Sequence, residues 1–232
     1  MYYLIVPQMA ILDLIFPKSC LGCGKEGRYI CENCLSKVRV LKPACPYCEK
    51  ASIDGFMHVK CRKKYGLDGL TSIWDYDGVI KKAILALKFK YSTEVGRELT
   101  SYLVSWLLSN RQLVLSAQCL VPVPLYWHRE NVRGFNQAEE IGKIVAEKMK
   151  WKFVPDLLIK NKSTVSQVEL TVDDRKKNLR GVFSLNSYYV LSTLYSVLIF
   201  DDVFTTGSTL HEAAKVLKHA GVKKVWGMTI AR

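Results

Sequence analysis

Apolar and polar positions divide the chain into two unlike parts. Long periodic apolar runs are scarce before residue 66 and frequent after it. Ile80, Ala83, Ile84, Leu87 and Tyr91 recur at helical spacing with Lys81, Lys82, Lys88 and Lys90 between them, which predicts an amphipathic helix. A second helix is expected near residues 93–109. Cys119–Pro124 (CLVPVP) predicts a buried strand closing at a proline-bounded loop. Phe135–Lys150 predicts a helix with Ala138, Ile141, Val145 and Met149 on one side, Phe135 in the core and Asn136 in a position to cap it. A polar, charged stretch spans 160–181. Ser196–Asp201 (SVLIFD) predicts a buried strand. A loop rich in Thr, Gly and Ser follows, then a helix carrying Leu210, Ala213, Ala214 and Leu217 that ends near Gly221, and Lys224–Ile230 as the last strand. Strands alternating with helices predict a parallel sheet in an α/β domain. No internal repeat is visible. The change of pattern puts a boundary near residue 66, giving units 1–66 and 67–232.

Residues 1–17 (MYYLIVPQMAILDLIFP) are apolar, but no Lys or Arg precedes the run, and Pro7, Gln8 and Asp13 interrupt it. Neither a secretory signal nor a membrane-spanning helix of roughly 20 residues fits. A short helix at 8–16 docked on the protein is expected, with contact at a membrane surface as the alternative. The expected compartment is the cytoplasm, where thiols stay reduced and clustered cysteines favour metal over disulfide.

Composition sharpens this picture at two points. Of 232 residues 49% are apolar, enough for a core, and 34 Lys+Arg against 21 Asp+Glu leave a net charge of +13. That surplus favours a polyanionic partner: nucleic acid, a phosphorylated small molecule or an anionic surface. Seven of the eight cysteines fall between positions 20 and 61, as Cys20-x2-Cys23, Cys31-x2-Cys34, Cys45-x2-Cys48 and His58-x2-Cys61. Two ligands separated by two residues can bend around one tetrahedral ion, and thiolate with imidazole favours Zn²⁺. Four pairs make two four-coordinate structural sites in a double zinc-ribbon-like module, the metal replacing a core the segment lacks. Sequential and interleaved pairings both fit, and His58 reads either as a ligand or as a surface imidazole. Cys119, far away in an apolar run, is expected to be a buried thiol.

The segment VLIFDDVFTTGSTL at 197–210 carries the most chemistry. An apolar strand ends in Asp201 and Asp202, and Thr205, Thr206, Gly207, Ser208 and Thr209 open a helix. Unpaired amides and the helix dipole favour an anion at such a start, and the hydroxyls add donors. The two carboxylates suit sugar hydroxyls or a Mg²⁺ held through water. Ligands bind at the carboxyl ends of strands in α/β sheets. Neither GxxxxGK[ST] nor GxGxxG is present.

LIFDDVFTTGSTL resembles the phosphoribosyl-pyrophosphate (PRPP) signature of type I phosphoribosyltransferases. Three further segments narrow the resemblance to the ComF (ComFC, amidophosphoribosyltransferase-like) family of competence-associated proteins. They are LDLIFPKSCLGCG, VPVPLYWHRENVRGFNQAEEI at 121–141, and the pattern Thr164-x2-Gln167-x2-Leu170-x4-Arg175-x2-Asn178-x4-Phe183. The similarity extends over nearly the whole chain. Two departures stand out: His58-x2-Cys61 where a CxxC is common, and a slightly long connection at 186–195. The resemblance implies a type I phosphoribosyltransferase-like parallel sheet flanked by helices, preceded by a small zinc module. It also implies PRPP with Mg²⁺ as ligand. Thr205–Thr209 would anchor the 5-phosphate, and Asp201 and Asp202 the ribose hydroxyls. Arg129 and Arg133 would lie at the pyrophosphate with Gln137 nearby, and Arg175 would act from a mobile loop within 160–181. Lys88 is a weaker candidate. Each arginine also reads as a solvated surface charge.

Two functions from different classes follow. One is a Mg²⁺-dependent phosphoribosyltransferase whose acceptor the sequence does not specify, tied to natural competence. The other is a non-catalytic protein handling single-stranded DNA on the same fold, with a competence helicase or other DNA-uptake proteins as partners. A zinc-module transcription regulator finds no recognition-helix signature to support it.

Overall fold

The computed structural model of the chain describes residues 17–89, 93–110, 117, 119–128, 131, 134–162, 181–189 and 196–232. Its strands are β1 (Gly69–Trp74), β2 (Cys119–Pro122), β3 (Lys152–Phe153), β4 (Leu158–Lys160), β5 (Phe183–Leu185), β6 (Ser196–Val203) and β7 (Lys224–Ala231). Its helices are α1 (Glu32–Leu35), α2 (Gly78–Phe89), α3 (Thr93–Ser109), α4 (Gln137–Met149) and α5 (Ser208–His219).

Five strands form one parallel sheet in the order β1-β7-β6-β2-β3, while β4 and β5 pair antiparallel beside it. Strand β6 is apolar on both faces because helices cover both. Leu198 and Phe200 pack with the apolar sides of α2, α3 and α4. Val197 and Ile199 pack with Leu210, Ala213, Ala214 and Leu217 of α5. Each such fully buried side chain contributes roughly 2 kcal/mol of transfer free energy. From β2 the chain crosses through α4 to β3, and from β6 it crosses through α5 to β7, on opposite faces and in opposite directions. The carboxyl ends of β2 and β6 therefore flank a topological switch point, where an α/β sheet opens a crevice.

The cysteine module wraps the β1 edge of the sheet. Val40 bridges to Trp74, and Phe56 bridges to Gly69. Cys20, Ile30, Cys31 and Val38 lie in the same core as α2 and α3. Within the module the backbone repeats itself at an offset of 25 residues. Cys20 N donates to Lys25 O (2.8 Å) and Cys45 N to Lys50 O (2.9 Å); Gly24 N donates to Cys20 O (2.8 Å) and Glu49 N to Cys45 O (3.0 Å). Both turns place the residue just after their second cysteine at positive φ, Gly24 at 78° and Glu49 at 57°. This structural repeat corrects the expectation of none. SCLGCGKE and ACPYCEKA share only their cysteines and one lysine, so hydrophobic patterning misses it.

Helices α2, α3, α4 and α5 form where the periodicity places them, and Asn136 caps α4 by accepting from Ala138 N (3.1 Å). Gly221 follows α5 at φ 101°. Three expectations shift. Phe135 is half-buried rather than core. The strand from Ser196 runs on through both aspartates to Val203. Strands β1, β3, β4 and β5 were not anticipated; β1 is disguised by Thr71 and Ser72, whose hydroxyls are used inside the sheet, with Trp226 Nε1 (3.0 Å) and Thr229 Oγ1 (2.7 Å). The expected helix at 8–16 lies outside the described residues.

Candidate functional site

Two clusters of metal-ligand atoms form, each from consecutive pairs. Cys20, Cys23, Cys31 and Cys34 bring four sulfurs within 4.8 Å of one another, and Cys45, Cys48, His58 and Cys61 do the same with an imidazole nitrogen. The sequential pairing is thus the one adopted. Cys23 Sγ and Cys31 Sγ are 3.7 Å apart; two sulfurs on one tetrahedral zinc, with bonds of about 2.3 Å, sit about 3.8 Å apart. His58 joins the second cluster through Nδ1, 3.2 Å from Cys48 Sγ, while Nε2 faces Ala51 O at 3.1 Å. That outer hydrogen bond fixes the tautomer a metal needs. Burial raises a thiol pKa, yet the amides of Cys31, Cys23 and Gly22 bring Cys20 down to about 6. The amides of Cys48, His58 and Tyr47 bring Cys45 down to about 7 against the same opposition. Gly22 is required by close approach: a Cβ there would stand 2.6 Å from Cys34 Sγ. With four protein ligands each, both clusters fit closed, structural zinc sites.

The second site lies at the carboxyl end of β6. Consecutive strand residues point to opposite faces, so Asp202 turns toward α2, where Lys88 Nζ meets its Oδ2 at 2.7 Å. Burial opposes the Lys88 charge, but the Asp202 carboxylate holds its pKa above the ordinary value. Asp201 Oδ1 accepts from Asp202 N (2.8 Å). Burial, reinforced by the Asp202 charge, pushes the Asp201 carboxyl up to about 7 against the pull of Lys88 and Lys160. A buried carboxyl with a raised pKa beside a charged partner marks this strand end as a candidate functional site.

The Thr205–Thr209 loop opens α5. Thr206 Oγ1 lies 2.8 Å from Ser208 Oγ and 3.4 Å from Ser208 N. Gly207 adopts φ 70°, and a Cβ on it would stand 2.4 Å from the Phe204 ring, so only glycine closes this turn without strain. Phe204 is buried and its amide donates to Ala231 O (2.9 Å), which anchors the loop to β7.

On the other side of the crevice, Val123 N donates to Phe200 O (2.8 Å) and Asn136 Nδ2 to Val123 O (3.1 Å), tying the loop after β2 to α4. Gln137 is buried in this joint, its Nε2 3.5 Å from Leu87 O at the end of α2, rather than presented to solvent. Arg129, Arg133 and Arg175 lie outside the described residues. The loop carries an aromatic run that the sequence reading passed over. Trp127 is 60% exposed, with the Tyr126 and His128 rings each 5.5 Å away. Cys119 is fully buried, and burial pushes its thiol up to about 11. Among the described residues no helix is long and apolar enough to cross a membrane.

Residues 11–63 match the double zinc ribbon domain. Over 222 residues, 91% of this chain and 90% of the relative, the sequence is 31% identical to "Competence protein F" of Haemophilus influenzae. The chain belongs to the ComF family. Family relatives include "DNA utilization protein YhgH" of Escherichia coli K12, 28% identical over 88% of this chain and 90% of that one. "Competence protein ComFC" of Bacillus subtilis is 25% identical over 85% and 81% respectively. The similarity to each extends well past the ribbons, over the α/β sheet as well.

Proposed function

We propose that the protein binds PRPP, or a ligand with the same phosphoribosyl group, at the switch-point crevice, and that it serves competence-linked DNA handling as a Mg²⁺-dependent phosphoribosyltransferase. The observation that carries this reading is the coincidence of three features at one strand end: a hydroxyl-rich helix start, an aspartate poised near neutral pH, and an aspartate already paired to a lysine. Thr205–Thr209 would receive the 5-phosphate, and Asp201 and Asp202 would receive the ribose hydroxyls. Arg129, Arg133 and Arg175 are proposed for the pyrophosphate. Mg²⁺ would arrive with PRPP and offset charge on the leaving oxygens; the hard oxygen donors of Asp201 and Asp202 suit it. In the transfer, an acceptor lone pair forms a bond to the anomeric carbon as the bond to pyrophosphate breaks. Pyrophosphate departs with the electron pair, and the acceptor's proton passes to solvent water. Lys88, with its Nζ 2.7 Å from Asp202 Oδ2, would hold that carboxylate in place through this charge shift.

The proposed boundary near residue 66 separates the units in sequence, although they share a core, and the cytoplasm is the proposed compartment. Calorimetry with PRPP and Mg²⁺ tests the reading. Wild type should bind, and the Asp201→Ala/Asp202→Ala variant should lose most of the affinity. A wild type that does not bind would sink it.

One observation favours the alternative, a non-catalytic handler of single-stranded DNA. The exposed Trp127, beside Tyr126 and His128, offers a stacking face next to the crevice, on a chain with a charge surplus of +13. Its affinity for single-stranded DNA should then fall steeply with salt and drop on Trp127→Ala. A flat salt response would count against it, and partners in the DNA-uptake machinery would be sought only after that titration.

A further inference from the structure

His211 belongs to neither site, yet it touches both. It sits one turn into α5, with its amide donating to Gly207 O (2.9 Å). Its ring stacks on Tyr47 (centroids 4.7 Å apart, planes at 24°), and the edge-on Phe204 ring lies 6.2 Å away. Nε2 is 3.0 Å from Pro46 O. A carbonyl only accepts, so Nε2 carries the hydrogen and Nδ1 is the bare nitrogen. Nδ1 is buried with no hydrogen-bond partner among the described residues. Charging the ring would bury a second N–H without an acceptor, and burial accordingly depresses its pKa to about 4. Near neutral pH the ring is a neutral wedge in one tautomer.

Pro46 and Tyr47 are the two residues inside the Cys45-x2-Cys48 knuckle. Tyr47 is held in turn by its hydroxyl, which donates to Leu67 O (3.1 Å), and by the Lys63 ammonium 5.0 Å from its ring centre. Metal ligation at Cys45 and Cys48 would fix the turn that presents Pro46 O and the Tyr47 ring. On its far side His211 closes on Gly207, where an added Cβ would come within 3.1 Å of His211 Cδ2 and 2.4 Å of Phe204. Knuckle, imidazole, phenyl ring and glycine turn make one unbroken set of packed contacts. A packed set of this kind shifts as a unit rather than deforming gradually.

We propose that His211 is a positioning residue for the phosphate loop, transmitting the conformation of the second zinc knuckle to Thr205–Ser208 so that the second metal site, and not the first, sets the loop's affinity for a phosphoryl group. The proposal rests on the phosphate reading of that loop. By linkage, a ligand in the loop must strengthen metal binding at the second site by the same factor.

The test is a titration of zinc-loaded protein with PRPP and Mg²⁺, comparing wild type, His211→Ala, His211→Gln and Glu98→Ala. Glu98 on α3 accepts from Tyr29 N (2.9 Å) and Ile30 N (3.1 Å) of the first ribbon and serves as the control. The alanine at 211 should weaken binding roughly tenfold at unchanged zinc content. The glutamine, which keeps an N–H donor near the Nε2 position, should recover part of that loss, and Glu98→Ala should bind as wild type does. In the reciprocal arm, PRPP should slow transfer of one zinc equivalent to a chelator in wild type and have less effect in His211→Gln. If wild type binds PRPP and both His211 variants bind equally well, the coupling is overturned while the phosphate reading stands. If wild type does not bind, both fall. Should His211→Ala fail to fold, the glutamine variant and the wild-type release kinetics still decide, and no PRPP effect on zinc release overturns the coupling.

Discussion

The first ribbon reaches the protein through apolar burial and an anionic clamp. Cys20, Ile30, Cys31 and Val38 enter the core beside α2 and α3. The Glu98 carboxylate on α3 accepts from Tyr29 N (2.9 Å) and Ile30 N (3.1 Å), and Tyr102 on the same helix donates to Ile30 O (2.9 Å). The second ribbon, with the same turn geometry, lies against α5 and β7 through rings and single polar contacts. Tyr47 stacks on His211, Tyr65 stacks on His219 with centroids 3.8 Å apart, and Phe56 meets Trp226 edge-on at 4.8 Å. One fold is thus used twice for different ends. Burial makes the first ribbon part of the stability of the whole, whereas the second rests its rings on α5, the helix that the Thr205–Thr209 loop opens.

The widest test of that contrast removes one metal at a time. Elemental analysis should find about two zinc per chain in wild type, and about one in Cys31→Ser and in Cys61→Ser. Cys31→Ser should lower Tm far more, because its cluster is continuous with the core. Equal losses would erase the distinction between the ribbons.

Truncating the clamp on the first ribbon comes next. Glu98→Ala leaves two amides without their charged acceptor and should cost roughly 2 kcal/mol in denaturant unfolding, with zinc content retained. A change below the error of the measurement would show that apolar burial alone holds the first ribbon.

The Lys88–Asp202 pair probes the other end of α2. Lys88→Ala should destabilise by roughly 2 kcal/mol, because it strands a largely buried carboxylate, and adding Asp202→Asn should recover part of this. Full additivity in the double-mutant cycle would mean that the two groups do not interact.

The smallest expected effect is on pH. Burial, reinforced by the Asp202 charge, pushes the Asp201 carboxyl up from its ordinary 3.8 to about 7. The protonated acid is therefore the form that the fold favours, and its stabilising contribution disappears as pH rises through 7. A cation or hydroxyl ligand needs the carboxylate, so the affinity for PRPP with Mg²⁺ should rise by up to about tenfold from pH 6 to 8, beyond the change due to the ligand's own phosphates. Asp201→Asn should remove that excess slope. His211, held near 4, should contribute none of it. An unchanged slope in Asp201→Asn would reassign the proton.

Most of the sheet was legible in the chain because its central strands are buried on both faces. Val197–Phe200 and Cys119–Val121 have no polar position to interrupt them, and α2 to α5 keep strict helical spacing. Strand β1 was illegible because Thr71 and Ser72 satisfy their hydroxyls against Trp226 and Thr229, more than 150 residues away in sequence. The strands β3, β4 and β5 are two or three residues long, too short for any period to register. At the candidate site, the Thr205–Thr209 loop and the aspartates announced themselves through adjacency. Gln137, read as a ligand neighbour, is buried in the joint between α4 and α2, which only packing reveals.

What the sequence determined by itself is what depends on neighbours along the chain. Cysteine pairs at turn spacing, an apolar strand running into a hydroxyl-rich helix start, and the alternation of strand and helix are all local, and each restricts the chemistry available. Tertiary structure decided what depends on groups brought together from far apart. It joined the ligand pairs in sequence, admitted His58 through its bond to Ala51 O, and sent Asp202 to Lys88 while leaving Asp201 poised near neutrality. It also set His211 against a knuckle 165 residues away. No local pattern encodes such a contact, because its energy comes from burying two surfaces that meet only once the parallel sheet is complete.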